Sequence, residues 1–307
     1  VDSHSSGEEY ATSVKVSDSA FPTTKFSKTT VNPRIAIKYE LTPSLVLRAN
    51  VGTGFRAPYG FSEDLHLCSG SPRVWKSSNL KGERAISYNL SADYYAKKYQ
   101  FSINIFRTNL KDKIQFSPAD DEVKKFGYSY QWENVDDAYV QGVELGAKAN
   151  LFRNFNAGIN WTFNQGKFKH ERADWSDPND ETVKEFPQRL QYAKDSRNIS
   201  RFPAMTGDID LDYTPGTWTF SLTSSLQGRM FIDYNSEDDG ATSKIKKTNT
   251  FMIFNCRAAK RFGTCTVYAG AKNIFSYIQD EKHTDDAAFM YAPVYGATWY
   301  VGLSVKL

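Results

Sequence analysis

Apolar and polar residues alternate with a period of two along most of this chain. In NPRIAIKYEL, Ile35, Ile37, Tyr39 and Leu41 fall on one side, with Ala36, Lys38 and Glu40 on the other. LVLRANV sets Leu45, Leu47, Ala49 and Val51 against Val46, Arg48 and Asn50. AISYNLSADYY sets Ile86, Tyr88, Leu90, Ala92 and Tyr94 against Ser87, Asn89, Ser91 and Asp93. VELGAKANL, FNAGINWTF, DIDLDY, WTFSLTSSL and the terminal WYVGLSVKL repeat the scheme. Successive side chains of a strand point to opposite faces, so the alternation predicts strands with one apolar face. It yields about twelve strands and no segment with a convincing helical period.

The connections sort by length. Tight turns are expected at Thr42-Pro43-Ser44, around Lys97-Lys98, from Phe152 to Asn154, at Thr214-Pro215-Gly216 and at Phe262-Gly263-Thr264. Between them fall long polar loops at 6–31, 54–82, 117–128, 168–201, 234–248 and 275–296. Short and long alternate, so in an up-and-down sheet all tight turns share one rim and all long loops the other. Compact domains seldom hold loops beyond about 15 residues, so this sorting needs a cause. A transmembrane barrel supplies one, having short turns at one end, long loops at the other, and strands apolar outward and polar inward. Hydrocarbon offers backbone groups no hydrogen-bond partner, so only helices and closed sheets cross it. The expected class is all-β: a transmembrane, antiparallel, up-and-down β-barrel, of which this chain supplies about twelve strands. Tyr94-Tyr95, Trp161 with Phe163, and Trp299-Tyr300 suit aromatic girdles at the membrane interfaces. A soluble β-sandwich or β-solenoid is the alternative, and neither explains the two-sided strands and sorted loops.

Composition fits this picture. The hydrophobic share is 40% and mean hydropathy −0.55, as an inward polar face requires. No apolar run approaches the ~18 residues of a spanning helix. A net charge of +3 is close to balance, and no basic run interleaves with aromatics, so nucleic acid is not an expected partner. Three cysteines form no C-x-x-C and no disulfide framework. Neither G-x-S-x-G nor H-E-x-x-H is present, and an enzyme is not expected. Position 1 is Val and no signal peptide is evident, so the chain reads as cut from something longer.

Three segments carry a family resemblance. Gly52-Thr53-Gly54-Phe55-Arg56-Ala57-Pro58 closes one strand, and Ser78-Asn79-Leu80-Lys81-Gly82-Glu83 follows in the next long loop. Trp132-Glu133-Asn134-Val135 then runs into Val140-Gln141-Gly142-Val143-Glu144. Together these resemble the C-terminal barrel half of TonB-dependent outer-membrane receptors. The first is similar to their FRAP box (Gly54, Phe55, Arg56, Ala57, Pro58) and the second to their N-P-N-L-K-P-E box (Asn79, Leu80, Glu83). Ser78 stands where Pro is usual there, and Gly82 replaces the second Pro. Val1-Asp2-Ser3-His4-Ser5 resembles the R-x-D-x-H-S end of a preceding strand. The stretch from Leu65 to Arg73 resembles versions from the Bacteroides and Porphyromonas group.

The resemblance implies a barrel of about 22 strands filled by an N-terminal plug. Residues 1–307 would be its C-terminal portion, without plug or signal peptide, and the missing N-terminal portion would belong to the same or a separate chain. It implies the outer membrane of a Gram-negative bacterium, with long loops extracellular. The implied partners are the TonB system of the inner membrane, outer-membrane lipids and lipopolysaccharide, and a surface lipoprotein. The final strand would carry the insertion signal, with Leu307 where an aromatic is usual. The implied function is active import of a scarce metal complex, a ferric siderophore or haem, as cargo rather than as an intrinsic cofactor. Cobalamin or an oligosaccharide is the alternative ligand, and a passive channel or structural barrel component the alternative role.

On this reading the long loops hold the ligand chemistry. All four histidines (His4, His66, His170, His283) fall in or beside them. Haem receptors of the family place a His between the two boxes, where His66 lies, so His66 is a candidate haem ligand or else a loop-structural residue. Anionic chelates are met by cations and aromatic faces. Arg56, Arg73, Trp75, Trp132, Trp175, Tyr234, Tyr291 and Tyr295 are the candidates, the aromatics serving otherwise as the upper girdle. Asp208, Asp210 and Asp212 alternate along one strand and point to the lumen, either as a cation site or as partners of basic groups nearby. Glu144 and Lys148 are lumen-facing charges of the same kind. Cys256 and Cys265 are expected opposite Gly270 and Arg261 on the lipid face. Cys68 either pairs outside the chain or is a free thiol. Asp18-Ser19-Ala20 matches a short O-glycosylation pattern.

Overall fold

The computed structural model describes residues 2–4, 26–58, 74–76, 80–118, 121–125, 130–171, 178–179, 181–185, 187, 189–234, 244–279 and 291–306. Strands β1 (Asp2–His4) and β2 (Phe26–Lys28) pair as a small antiparallel ribbon. The main strands begin with β3 (Arg34–Thr42) and β4 (Leu45–Arg56), then the short β5 (Val74–Lys76). β6 (Glu83–Tyr95), β7 (Tyr99–Pro118), β8 (Tyr130–Phe152) and β9 (Phe155–Phe168) follow. Next come β10 (Met205–Tyr213), β11 (Trp218–Gln227), β12 (Phe231–Tyr234) and β13 (Lys244–Lys247), and finally β14 (Phe251–Phe262), β15 (Cys265–Lys272) and β16 (Thr298–Val305). Eleven strands form one antiparallel path, β3-β4-β6-β7-β8-β9-β10-β11-β14-β15-β16, with β5 adding to β8 in parallel. The backbone falls into two compact units, Val1–Ala36 with Asn50–Tyr88 and Thr108–Tyr139, and Ile37–Ala49 with Asn89–Arg107 and Val140–Leu307.

The pairing registers place like with like. Tyr213 stands between Phe155 and Phe220, Ile209 opposite Ile159, and Leu211 opposite Leu222. On the other face Asp208, Asp210 and Asp212 meet Asn160, Gly158 and Asn156 on one side and Ser225, Thr223 and Ser221 on the other. Opposed residues share a face, so one slip would exchange the two sets along the whole strand. The apolar face is the uncovered one: Ile35, Trp299 and Val301 are 71%, 75% and 79% exposed. Water-soluble monomers rarely expose apolar patches beyond a few hundred Å². Near the tight turns this face becomes aromatic. Phe152 stacks on Phe155 at 4.7 Å and Trp218 on Phe220 at 5.6 Å, with the Lys260 ammonium 4.8 Å from the Trp218 ring.

Among the described residues, Val183, Ala193, Met230 and Ile232 are buried where the long connections fold. These connections are not structureless. α1 (Asp121–Lys124) lies between β7 and β8, and α2 (Glu181–Glu185) and α3 (Arg189–Asp195) lie between β9 and β10. Their sequences show no helical period because helices of one or two turns are too short to display one, and tertiary packing sustains them. No helix among the described residues is long and apolar enough to cross a membrane.

The cysteine pairing differs from expectation by one residue. Cys265 stands opposite Phe262 and Cys256 opposite Ala271, because the turn consists of Gly263 and Thr264 alone, with Gly263 at φ 59°. Both thiols are free and lie on the apolar face, Cys256 beside Leu222.

The last strand is held by two reciprocal contacts on the polar face. Tyr268 pairs with Gly302 and Tyr300 with Gly270, and a Cβ on either glycine would fall inside the opposing ring. The Arg257 guanidinium covers Tyr268 at 4.6 Å. Gly302→Val should therefore overpack this corner and destabilise the protein by about 1–3 kcal/mol. Urea midpoints in detergent would read the loss, whereas Ser304→Val on the same face should have little effect.

Candidate functional site

The three motif segments converge on one corner within a single compact unit. Phe55 lies against Gly82, where a Cβ would collide with the ring. The Arg56 guanidinium stands 3.5 Å from the Glu83 carboxylate, and the same oxygen accepts a 2.9 Å hydrogen bond from the buried Ile114 amide. The Asn134 side-chain oxygen accepts from Lys81 N at 2.7 Å, and its amide donates to the carbonyls of Lys81 and Asp112 at 3.0 and 2.7 Å. Asp112 takes a left-handed conformation (φ 54°), and its amide donates to the Asp137 carboxylate. Each motif thus supplies a part: Phe55 and Arg56 the ring and cation, Gly82 and Glu83 the seat and counter-charge, Asn134 the clamp. Gly82 stands where the box it resembles has a second proline, and the close approach of Phe55 is the physical reason a glycine fits there. Arg56, a candidate ligand contact by sequence, is engaged by Glu83.

A second assembly lies in the other unit, on the polar face at the strand ends away from the tight turns. A shallow pocket of about 590 Å³ is lined there by Arg201, Thr206, Ser225, Gln227, Phe251 and Tyr291, among others. Register brings these together: Thr206 faces Gln227, Gln227 faces Phe251, and Ser225 faces Ile253. Phe251 stacks on Tyr277 at 5.0 Å, with the Tyr291 ring at 6.4 Å. The described lining holds one guanidinium, an amide and three hydroxyls, and no carboxylate. Such a surface favours a polar or anionic ligand with flat apolar parts.

Two buried amides hold this wall. Asn273, left-handed at φ 51°, donates to the carbonyls of Tyr277 and Tyr295 at 2.7 and 3.1 Å and accepts from Tyr277 N at 2.9 Å. The Gln279 side-chain oxygen accepts from the amides of Tyr291 and Ala292, both at 3.1 Å, and Gln227 donates to the Tyr291 carbonyl. Sequence reasoning found Tyr291 but missed Arg201, Gln227, Phe251, Asn273 and Gln279. They are scattered over nearly 80 positions and become neighbours only through strand register, as for Gln227 and Phe251, and through loop hydrogen bonds, as for Asn273 and Gln279.

The remaining candidates disperse. Tyr295 is 81% exposed, its carbonyl held by Asn273. The backbone of Trp75 pairs with Gln131, beside the half-buried Trp132, and Tyr234 ends β12. His66, Cys68, Arg73, Asn79, Trp175 and the Asp18-Ser19-Ala20 pattern lie outside the described residues. Along β10, Asp208 accepts from Asn160 at 2.8 Å and Asp212 from Ser221, so neutral side chains are their hydrogen-bonding partners. Gly158 leaves space between Asp210 and Lys148, and Glu144 accepts from Asn104 at 2.8 Å. No group of three or more His, Cys, Asp or Glu converges as a metal site among the described residues.

Asn273→Ala would strand two carbonyls and an amide, at about 1–3 kcal/mol for each group left buried and unpaired. Amide hydrogen exchange should accelerate at Tyr277 and across 291–295 while β10 remains protected. Equal acceleration in both would contradict the clamp.

A family profile described as TonB dependent receptor-like, beta-barrel, matches residues 3–274. The vitamin B12 transporter BtuB of Photobacterium profundum is 26% identical over 266 residues, which cover 84% of this chain and 36% of the relative. The ferric enterobactin receptor of Pseudomonas aeruginosa is 27% identical over 151 residues, covering 43% of this chain and 20% of that protein. Among solved structures, the unliganded ferric citrate transporter FecA superimposes with a TM-score of 0.62 at 20% identity, over 92% of this chain and 39% of that one. The chain thus spans well under half the length of the proteins it matches. It belongs to the TonB-dependent receptor family and forms part of the transmembrane β-barrel of such a receptor.

Proposed function

We propose that this chain is the C-terminal part of an outer-membrane receptor that binds a scarce metal complex at extracellular loops and imports it with TonB-supplied energy. The observation that carries the reading is the pocket around Arg201. It lies at the strand ends that bear the long connections, and its described lining pairs one cation with stacked aromatic rings and no carboxylate. A ferric siderophore suits this chemistry, being a polar or anionic chelate that a guanidinium and aromatic faces can hold. Relatives named for ferric enterobactin and ferric citrate support the same class. A corrinoid is the second reading, favoured by the similarity to a vitamin B12 transporter over 84% of the chain. Haem rests on His66 as an axial ligand.

The remainder of the receptor would supply the plug that TonB pulls and the strands that pair with β3 and β16. Hydrocarbon leaves a free sheet edge no alternative partner. The ligand needs no covalent change to be carried, so the protein acts as a transporter and not as an enzyme.

Fluorescence titration of the purified receptor with a ferric siderophore, haemin and cyanocobalamin separates the ligands. Arg201→Ala should weaken binding of the ferric siderophore about tenfold or more, the scale of a lost charge-assisted hydrogen bond. His66→Ala should leave that affinity unchanged. Tight binding of haemin that His66→Ala abolishes would overturn the siderophore reading, as would binding of cyanocobalamin alone.

A further inference from the structure

Beyond ligand import, we infer that the rim formed by the tight turns is a docking surface for peptidoglycan, the carboxylate-bearing polymer that lies beneath the outer membrane. The inference rests on the proposed orientation, with the long connections outside and the tight turns in the periplasm.

The first observation is the sign of the charge. Lys97, Lys98 and Arg153 lie in the turns, Arg261 stands two residues before Gly263, and Lys306 follows β16. All five are exposed, and none pairs with a carboxylate among the described residues. The turn segments themselves (43–44, 96–98, 153–154, 214–217 and 263–264) contain no acidic residue. Three carboxylates lie within three residues of a turn, and each is engaged: Glu40 with Lys38 at 2.6 Å, Asp93 with Arg48, and Asp212 with the Ser221 hydroxyl. The long connections mix the signs instead, as in the Glu122–Lys125 and Glu181–Lys184 pairs.

The second observation is how these cations are held. Each turn is tied to the next strand by a backbone hydrogen bond: Tyr95 N donates to Ser44 O, Asn150 N to Lys98 O, Thr214 N to Asn154 O, Arg261 N to Thr217 O and Lys306 N to Thr264 O, all between 2.7 and 2.9 Å. The whole edge belongs to one compact unit. The charges therefore sit on a fixed rim, which from β7 to β16 crosses seven strand spacings, about 34 Å.

Position and spacing choose the partner. Arg261 continues the polar row of Asn255 and Arg257, and Lys306 that of Gly302 and Ser304, so neither belongs to the lipid-facing row. A lipid phosphate would be met from the apolar row, where the Lys260 ammonium stands among the Trp218 and Phe262 rings. A small anion needs donors that converge on it. These five cations are strung along an edge, which suits a repeating polyanion whose weak exposed contacts add by multivalency. Peptidoglycan has that chemistry, because its stem peptides present free carboxylates at intervals along a stiff mesh. Contact with it would restrain the receptor against the wall and leave the barrel interior free.

The test is co-sedimentation of the full receptor, in nanodiscs of zwitterionic lipid, with purified peptidoglycan sacculi. Wild type should pellet with sacculi at about 50 mM salt and be released by about 0.5 M, as screening of exposed charges requires. Replacing Lys97, Lys98, Arg153 and Arg261 together by Gln should lower the bound fraction about tenfold or more, and each single replacement should lower it in part. Lys169→Gln with Lys194→Gln, exposed cations of the long connections, should leave it unchanged. Sacculi whose carboxylates have been amidated should bind neither protein. Variants are compared only if they show the heat-dependent gel shift of a folded barrel, and the single replacements keep the test decisive if the fourfold variant misfolds. Equal pelleting of wild type and folded rim variants, binding that survives amidation, or a loss produced by Lys260→Gln alone would each overturn the surface. Lys98→Cys should resist an impermeant maleimide in intact cells, and labelling above the wild-type background would overturn the orientation. Siderophore affinity should be equal in wild type and the fourfold variant, so the import reading is judged separately.

Discussion

Everything in this chain depends on where backbone N–H and C=O groups find partners in hydrocarbon. A strand in lipid can pair only with its neighbours, so strands are long, antiparallel and joined in sequence, and the side chains divide into two sets. One set meets lipid and the other an aqueous or protein-filled interior. Low mean hydropathy, exposed Ile, Val and Trp, and acidic residues in mid-strand look contradictory in a soluble protein and are required in this one. Asp208, Asp210 and Asp212 alternate with Ile209 and Leu211 for that reason. Their polar neighbours Asn160 and Ser221 stand on the same face.

Where the strands leave the membrane the constraint relaxes, and specific chemistry begins. The motif corner ties Phe55, Arg56, Gly82, Glu83 and Asn134 together by ring contact, ion pair and side-chain clamp. Its ion pair is part-exposed and contributes little by itself. Its value lies in fixing the path of the backbone at the end of β4. Asn273 and Gln279 do the same for the segment that carries Tyr291, and so shape the wall of the pocket around Arg201. In both places buried amides satisfy loop backbone that no ladder reaches.

The strands and their faces were legible because lipid on one side and a polar interior on the other leave a period of two that no local effect disguises. The turn at Gly263-Thr264 was located correctly, yet the pairing of Cys256 and Cys265 was off by one, since sequence marks a turn without saying how many residues it consumes. The helices around Val183 and Ala193 were invisible because five and seven residues cannot display a helical period. The motifs were recognisable as letters, but their mutual contacts, Phe55 on Gly82 above all, exist only in three dimensions. The pocket was out of reach, because Thr206, Gln227 and Phe251 are neighbours by register, Tyr291 joins them through Gln227 and Gln279, and the four share no local pattern.

The central claim is that the exposed apolar rows face lipid while the alternate rows do not. Nitroxide scanning of β7 from Phe101 to Phe106, in the receptor reconstituted into bilayers, tests it most directly. Positions 101, 103 and 105 should be accessible to oxygen, which concentrates in lipid, and shielded from a water-soluble nickel reagent; positions 102, 104 and 106 should show low oxygen accessibility. Uniform exposure to the nickel reagent, or the absence of any two-residue period, would contradict it.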